Sequence, residues 1–199
     1  MTRFFVAALT LACAVGASAQ PATPSQRLRG TIAKIDAGSM VLEERIGETL
    51  SLVFADNLSV SEALPIVPGQ IQSGTFVGTA SVAGADGSLS ALEVLVFPEA
   101  LRGTGEGHSN GDLQPGSMMT NAAVVGVAPG AKGRTMTLRY KDGEKTIVVP
   151  DGVPVVTLKS ADRSLLVPGA KVIVTAKNRD GKLVALCITA GRDGFTPPM

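Results

Sequence analysis

Tryptophan is absent, tyrosine and histidine occur once each, and only two of the 199 residues are cysteine. One imidazole and two thiols cannot furnish the multi-histidine or multi-cysteine sets that zinc sites use within one chain. Aromatics make up only 4% of the chain, too few for the stacked platforms that hold single-stranded nucleic acid. Eighteen Lys and Arg stand against seventeen Asp and Glu, so no excess of positive charge exists for gripping phosphate backbones or acidic membranes. Nucleic acid is therefore not an expected partner. Glycine, by contrast, is abundant at 23 residues, with 12 prolines, which suits short strands and many turns better than long helices.

The one long apolar run lies at the start. Met1-Thr2-Arg3 is followed by a mostly apolar stretch over 4–15 and then by Gly16-Ala17-Ser18-Ala19-Gln20. A positive charge, an apolar core and an Ala-x-Ala end are the parts of a secretory signal, with cleavage expected after Ala19. Twelve residues are too few to span a hydrocarbon layer of about 30 Å, and no later segment is long and apolar enough, so no membrane span is expected. Thr10-Leu11-Ala12-Cys13 is a weaker match to a lipoprotein cleavage box. Removal of residues 1–19 leaves 199 − 19 = 180 residues, takes Arg3 and so balances the charges, and takes Cys13. Cys187 then stands alone, and in an oxidising periplasm it is expected to be a small core residue.

The remainder carries a weak internal repeat. Met40-Val41-Leu42 matches Met136-Thr137-Leu138, Phe54-Ala55-Asp56 matches Val149-Pro150-Asp151, Gly74-Thr75-Phe76-Val77 matches Gly169-Ala170-Lys171-Val172, and Asp86-Gly87 matches Asp180-Gly181, at spacings of 96, 95, 95 and 94. This divides the chain into a first unit, 28–98, a connecting segment, 99–121, and a second unit, 122–191. Met136, Leu138 and Tyr140 alternate with Thr135, Thr137 and Arg139, the period-two pattern of a half-buried strand. Similar alternation predicts strands near 30–36, 39–44, 48–54, 74–83 and 88–97 in the first unit, and Asp142-Gly143 and Asp180-Gly181 mark hairpins in the second. Three strands in a meander, a longer connection (55–73 and 150–168) and a final hairpin predict an all-β fold of two tandem OB-like five-stranded barrels, with a helical turn near Ser160 to Ser164. The last strands are apolar on both faces, which predicts that they pack the barrels together or against another copy in a homo-oligomer. Residues 20–27 read as a flexible lead and 191–199 as a frayed tail.

The connecting segment is glycine-rich and holds the only histidine. Arg102-Gly103-Thr104-Gly105-Glu106-Gly107-His108, with Asp112-Leu113 and Ser117-Met118-Met119-Thr120-Asn121-Ala122 after it, resembles a segment of an uncharacterised family of exported bacterial proteins with duplicated OB-like domains. Relatives sometimes carry the label metal transporter permease, which a chain without transmembrane helices cannot be. The resemblance implies an exported two-barrel protein and no known activity.

The residues themselves leave two readings of this segment. In the first, Arg102, Gly103, Gly105, Gly107 and Asn121 are structural: Arg102, with Glu106, clamps the loop over the barrel junction while glycines permit its turns. In the second, Glu106, His108 and Asp112 bind a metal such as zinc, with Met118 and Met119 adding thioethers if it is copper. A glycine-rich phosphate cradle lacks the Lys-Ser/Thr that should follow it, and Ser109 beside His108 is a poor nucleophile–base pair. The expected function is a non-enzymatic periplasmic accessory protein that binds an envelope protein or a small ligand, with metal handling through Glu106, His108 and Asp112 as the alternative.

Overall fold

The computed structural model describes residues 24–130 and 133–198; the expected signal and its cleavage point lie outside them. The described chain is all-β. Its strands are β1 (Gln26–Ile35), β2 (Ser39–Glu44), β3 (Thr49–Pro65), β4 (Phe76–Ala83), β5 (Leu89–Val96), β6 (Gly107–Asn110), β7 (Met118–Gly130), β8 (Gly133–Tyr140), β9 (Gly143–Pro150), β10 (Val155–Ala161), β11 (Lys171–Arg179) and β12 (Lys182–Ala190). Single 3-10 turns cover Pro68–Gln70, Glu99–Leu101 and Arg163–Leu165. The last begins where Asp162 accepts a hydrogen bond from the Ser164 amide, a local side-chain cap. No helix among the described residues is long and apolar enough to cross a membrane.

The strands close into two rings, and the chain crosses between them. One ring runs β1-β2-β3-β12-β11 and back to β1, with β3 and β12 parallel over a long ladder from Leu52↔Leu183 to Glu62↔Ala190. The other runs β7-β8-β9-β5-β4 and back to β7, closed by just two parallel pairs, Leu89↔Ile147 and Ser90↔Val148. Segments 28–98 and 122–191 therefore do not each close on themselves. Each contributes a three-stranded meander to one ring and its terminal hairpin to the other. Sequence periodicity cannot reveal this, because it records which face of a strand is apolar and not which copy of a neighbour covers it.

The two rings agree in detail. A bulge interrupts β1–β2 between Ile32 and Lys34, and another interrupts β7–β8 between Val124 and Gly126. The hairpins break register at Ala80/Ser81 and at Thr175/Ala176. Ile32 donates its amide to Ala170 O (3.0 Å) and accepts from Gly169 (2.8 Å); Val124 donates to Thr75 O (2.8 Å) and accepts from Gly74 (2.8 Å). Gly74 and Gly169 both have positive φ, +91° and +87°, which L side chains avoid. At the centre, β3 and β10 pair antiparallel with Ala63 opposite Leu158, positions one repeat spacing apart.

The first ring buries Ile32, Met40, Leu42, Leu52, Val174 and Ile188, and the second Val77, Val94, Val124, Met136, Leu138 and Ile147. Each such side chain stabilises the fold by about 1.5–3 kcal/mol relative to exposure. Three local expectations are corrected. The connection 55–73 is largely strand, since β3 continues to Pro65, and its counterpart holds the strand β10. The lead is strand from Gln26 onward. In β12 the bulge beside Ala185 and Cys187 resets the alternation, so Ala185, Ile188 and Ala190 enter the core while Cys187 does not.

Candidate functional site

The connecting segment does not gather a metal site. Glu106 Oε1 accepts the Lys141 amide at 2.9 Å, tying the segment to the start of the β8–β9 turn. Asp112 is held by Arg29 through two hydrogen bonds, 2.9 and 3.3 Å. His108 lies on β6 opposite Thr120, with Nδ1 2.8 Å from Thr120 Oγ1, and its ring stacks on Tyr140 at 6.2 Å. Burial, with the positive charge of Lys145, pushes the His108 pKa below its ordinary value. Met118 and Met119 are successive residues of β7 and so point to opposite faces of it. The expected five-residue set, Glu106, His108, Asp112, Met118 and Met119, is thus spread over separate partners and both faces of a strand. No group of three or more His, Cys, Asp or Glu among the described residues is placed to hold an ion.

The glycine-bearing stretch is held against the second ring. Arg102 makes a two-pronged contact with Glu99 (2.6 and 2.8 Å), donates to Gly74 O at 2.8 Å, and sets its guanidinium over the Phe76 ring. Asn121 Nδ2 donates to Thr104 O at 3.1 Å. Gly103, Gly105 and Gly107 all have positive φ. At Gly105 a Cβ would also press on the Asn121 amide at 3.0 Å.

Beneath this segment lies a cavity of about 290 Å³ between the two rings. Ile173, Thr175, Cys187 and Thr189 reach it from the first ring, and Leu95, Met119 and Asn121 from the second. Ala63, Val156 and Leu158 of the β3–β10 pair supply the wall they share, with Phe97 just beyond β5. Leu101 and Thr104 of the connecting segment and Pro197 and Pro198 of the tail form its rims. Pro197 is buried, so the tail expected to fray is packed as far as it is described. Arg192 anchors it through Glu62, at 2.7 and 3.1 Å, and this hydrogen bond and charge hold the Glu62 carboxyl below the usual carboxylate range.

Several polar atoms here have no protein partner. Asn121 Oδ1 is buried and unbonded, in a residue that lines the cavity. Glu93 holds in the second ring the register position that Cys187 holds in the first, opposite Ala80 where Cys187 is opposite Thr175. Glu93 is 1% exposed, and neither carboxyl oxygen finds a hydrogen bond. Burial raises its pKa to about 8, against the opposing pull of Arg29 and Arg27. Burial also disfavours the charged form of Asp112, but hydrogen bonding and charge from Arg29 outweigh it and keep that carboxyl below its usual range. Arg29 Nε is itself buried without a partner. Cys187 Sγ lies 2.9 Å from Ser59 Oγ, half-buried on the cavity wall and not in the core that sequence reasoning gave it.

Sequence reasoning missed Arg27, Glu93, Thr175 and the tail prolines as site residues. The one available signal was Glu93, a lone carboxylate in an otherwise apolar strand, Leu92-Glu93-Val94-Leu95. No family model, no curated protein and no solved structure matches this chain.

Proposed function

We propose that the protein is a non-enzymatic binding protein of the bacterial envelope, exported by its first 19 residues, that takes a small and mostly apolar ligand into the cavity between its rings. The observation that carries this reading is the cavity itself, about 290 Å³ in volume and walled largely by aliphatic side chains from both rings. Ligand sites are concave, chiefly apolar and furnished with a few directed polar groups. Thr175, Thr189 and Asn121 are among the polar residues of its lining.

The same proposal covers the architecture. The strand order meander, then crossed-over hairpin, with a parallel contact between third and fifth strands, is that of an OB-like barrel. Matching bulges, matching glycine turns and the Ala63–Leu158 pairing support an origin by tandem duplication in which the copies exchanged hairpins. The resemblance to exported proteins with duplicated OB-like domains points the same way.

The test is uptake of N-phenyl-1-naphthylamine, a neutral dye that fluoresces in apolar surroundings. Saturable one-to-one uptake is expected from the native protein, and none from Ala63→Phe, which fills the cavity from its shared wall. Absence of uptake by the native protein, or equal uptake by a folded Ala63→Phe variant, refutes the reading.

A further inference from the structure

We infer that the ligand of this cavity is an amphipathic monocarboxylate, its aliphatic chain lying among Leu95, Phe97, Val156, Leu158 and Ile173 and its carboxylate meeting the Arg27 guanidinium at the mouth. The inference rests on the reading of the cavity as a binding site and adds the class of its occupant.

Three features support it. First, the cavity has a polar exit. Arg27, Met119 and Thr175 border both the apolar cavity and an adjoining hollow of about 310 Å³ that is otherwise lined mainly by polar residues, among them Gln26, Ser109, Asn110 and Asp112, whose carboxylate is paired with Arg29. A molecule lying across that border has an apolar end in one compartment and a polar end in the other. Second, the charges at the exit do not cancel. Arg29 and Asp112 neutralise each other in a two-pronged pair. Glu93, the remaining acid acting on this group, is buried and holds its proton at neutral pH. Arg27 is left as an exposed cation with no hydrogen bond to any other described side chain or carbonyl. The uncompensated charge at the mouth is therefore positive, and an anion complements it while a cation is repelled. Third, a guanidinium presents a planar fork that fits a carboxylate through two parallel hydrogen bonds. An apolar body next to one such fork suits a single carboxylate better than a polyanion, which would need several cations.

The experiment is displacement of N-phenyl-1-naphthylamine from the full chain at neutral pH by three ligands of one chain length: decanoate, decanol and decyltrimethylammonium. Decanoate is expected to displace the dye about tenfold more tightly than decanol, with the ammonium weakest. Arg27→Gln should weaken decanoate by about tenfold and leave decanol unchanged, while Arg27→Lys, which keeps the charge without the fork, should fall between. Decanoate should also slow alkylation of Cys187, whose thiol borders the cavity, as read by mass spectrometry of its peptide. If the three head groups compete equally, or Arg27→Gln leaves decanoate unaffected, the head-group assignment is wrong and the cavity reading stands. If the dye binds but decanoate neither displaces it nor protects Cys187, the ligand class is wrong. If the dye itself does not bind, both readings fall.

Discussion

Replacing Glu93 by glutamine isolates one buried ionisable group and gives it a measurable signature. The Glu93 carboxyl is 1% exposed, has no hydrogen-bond partner, and titrates at about 8 in the fold against 4.5 in the unfolded chain. Between those values the native state holds a proton that the unfolded state has released. Stability contributed by this group is therefore complete below the unfolded pKa and declines as pH rises toward the folded one, by up to about 1.4 kcal/mol per unit. From about pH 5 to about pH 8 the loss amounts to about 3–4 kcal/mol. Glutamine has nearly the same shape and does not ionise. Urea denaturation of the two proteins at both pH values is the assay. Near pH 5 the curves should differ little. Near pH 8 the variant midpoint should lie higher by roughly 2 M, for a slope of about 2 kcal/mol per molar. A constant difference at both pH values would refute the reasoning, since it would mean the native carboxylate ionises as readily as a solvated one.

Three further outcomes follow from the geometry. Gly30→Ala would drive a Cβ into the Glu43 carbonyl across the β1–β2 pair, so thermal unfolding should show a loss of about 2–4 kcal/mol, whereas Gly38→Ala, with open space around it, should stay within about 0.5 kcal/mol. Chains cut at the 112–113 bond should fail to fold separately as monomers but co-purify when co-expressed, because each ring needs strands from both pieces; a folded monomeric half in size-exclusion chromatography and circular dichroism would contradict the ring assignment. Decanoate affinity should fall above about pH 8 as Glu93 becomes an anion beside Arg27, Arg29 and Asp112, and dye displacement by Glu93→Gln should lack that fall.

Period-two alternation made the strands legible wherever one face is apolar and the other wet. Ser39–Glu44 was read at its observed bounds, and Leu89–Val96 within a residue. The second half of β3 carries the same alternation, with Leu58 and Val60 between Asn57, Ser59 and Ser61, and falls in what the sequence reading treats as a connection. Its Ser61 and Glu62 meet Thr189 and Arg192, partners more than a hundred residues away that no local window contains. Cys187 was misplaced for a related reason. A single bulge flips every side chain beyond it, and the bulge depends on pairing with Thr175 and Ala176. The glycine-rich segment stood out by composition, yet its conspicuous histidine is spent on Thr120 and Tyr140. The cavity was not legible, because it exists only once two sheets from distant parts of the chain face each other.

The exchange of hairpins also sets a timetable. The first ring begins with β1 at Gln26 and is closed by β12, which ends at Ala190. A chain emerging from its amino end can form the β1–β2–β3 meander early, but that meander has unpaired edges until nearly the whole polypeptide is out. Such late, long-range closure slows folding and leaves strand edges open to improper pairing while they wait. A protein built this way needs a protected interval between the appearance of its first strand and the arrival of its last.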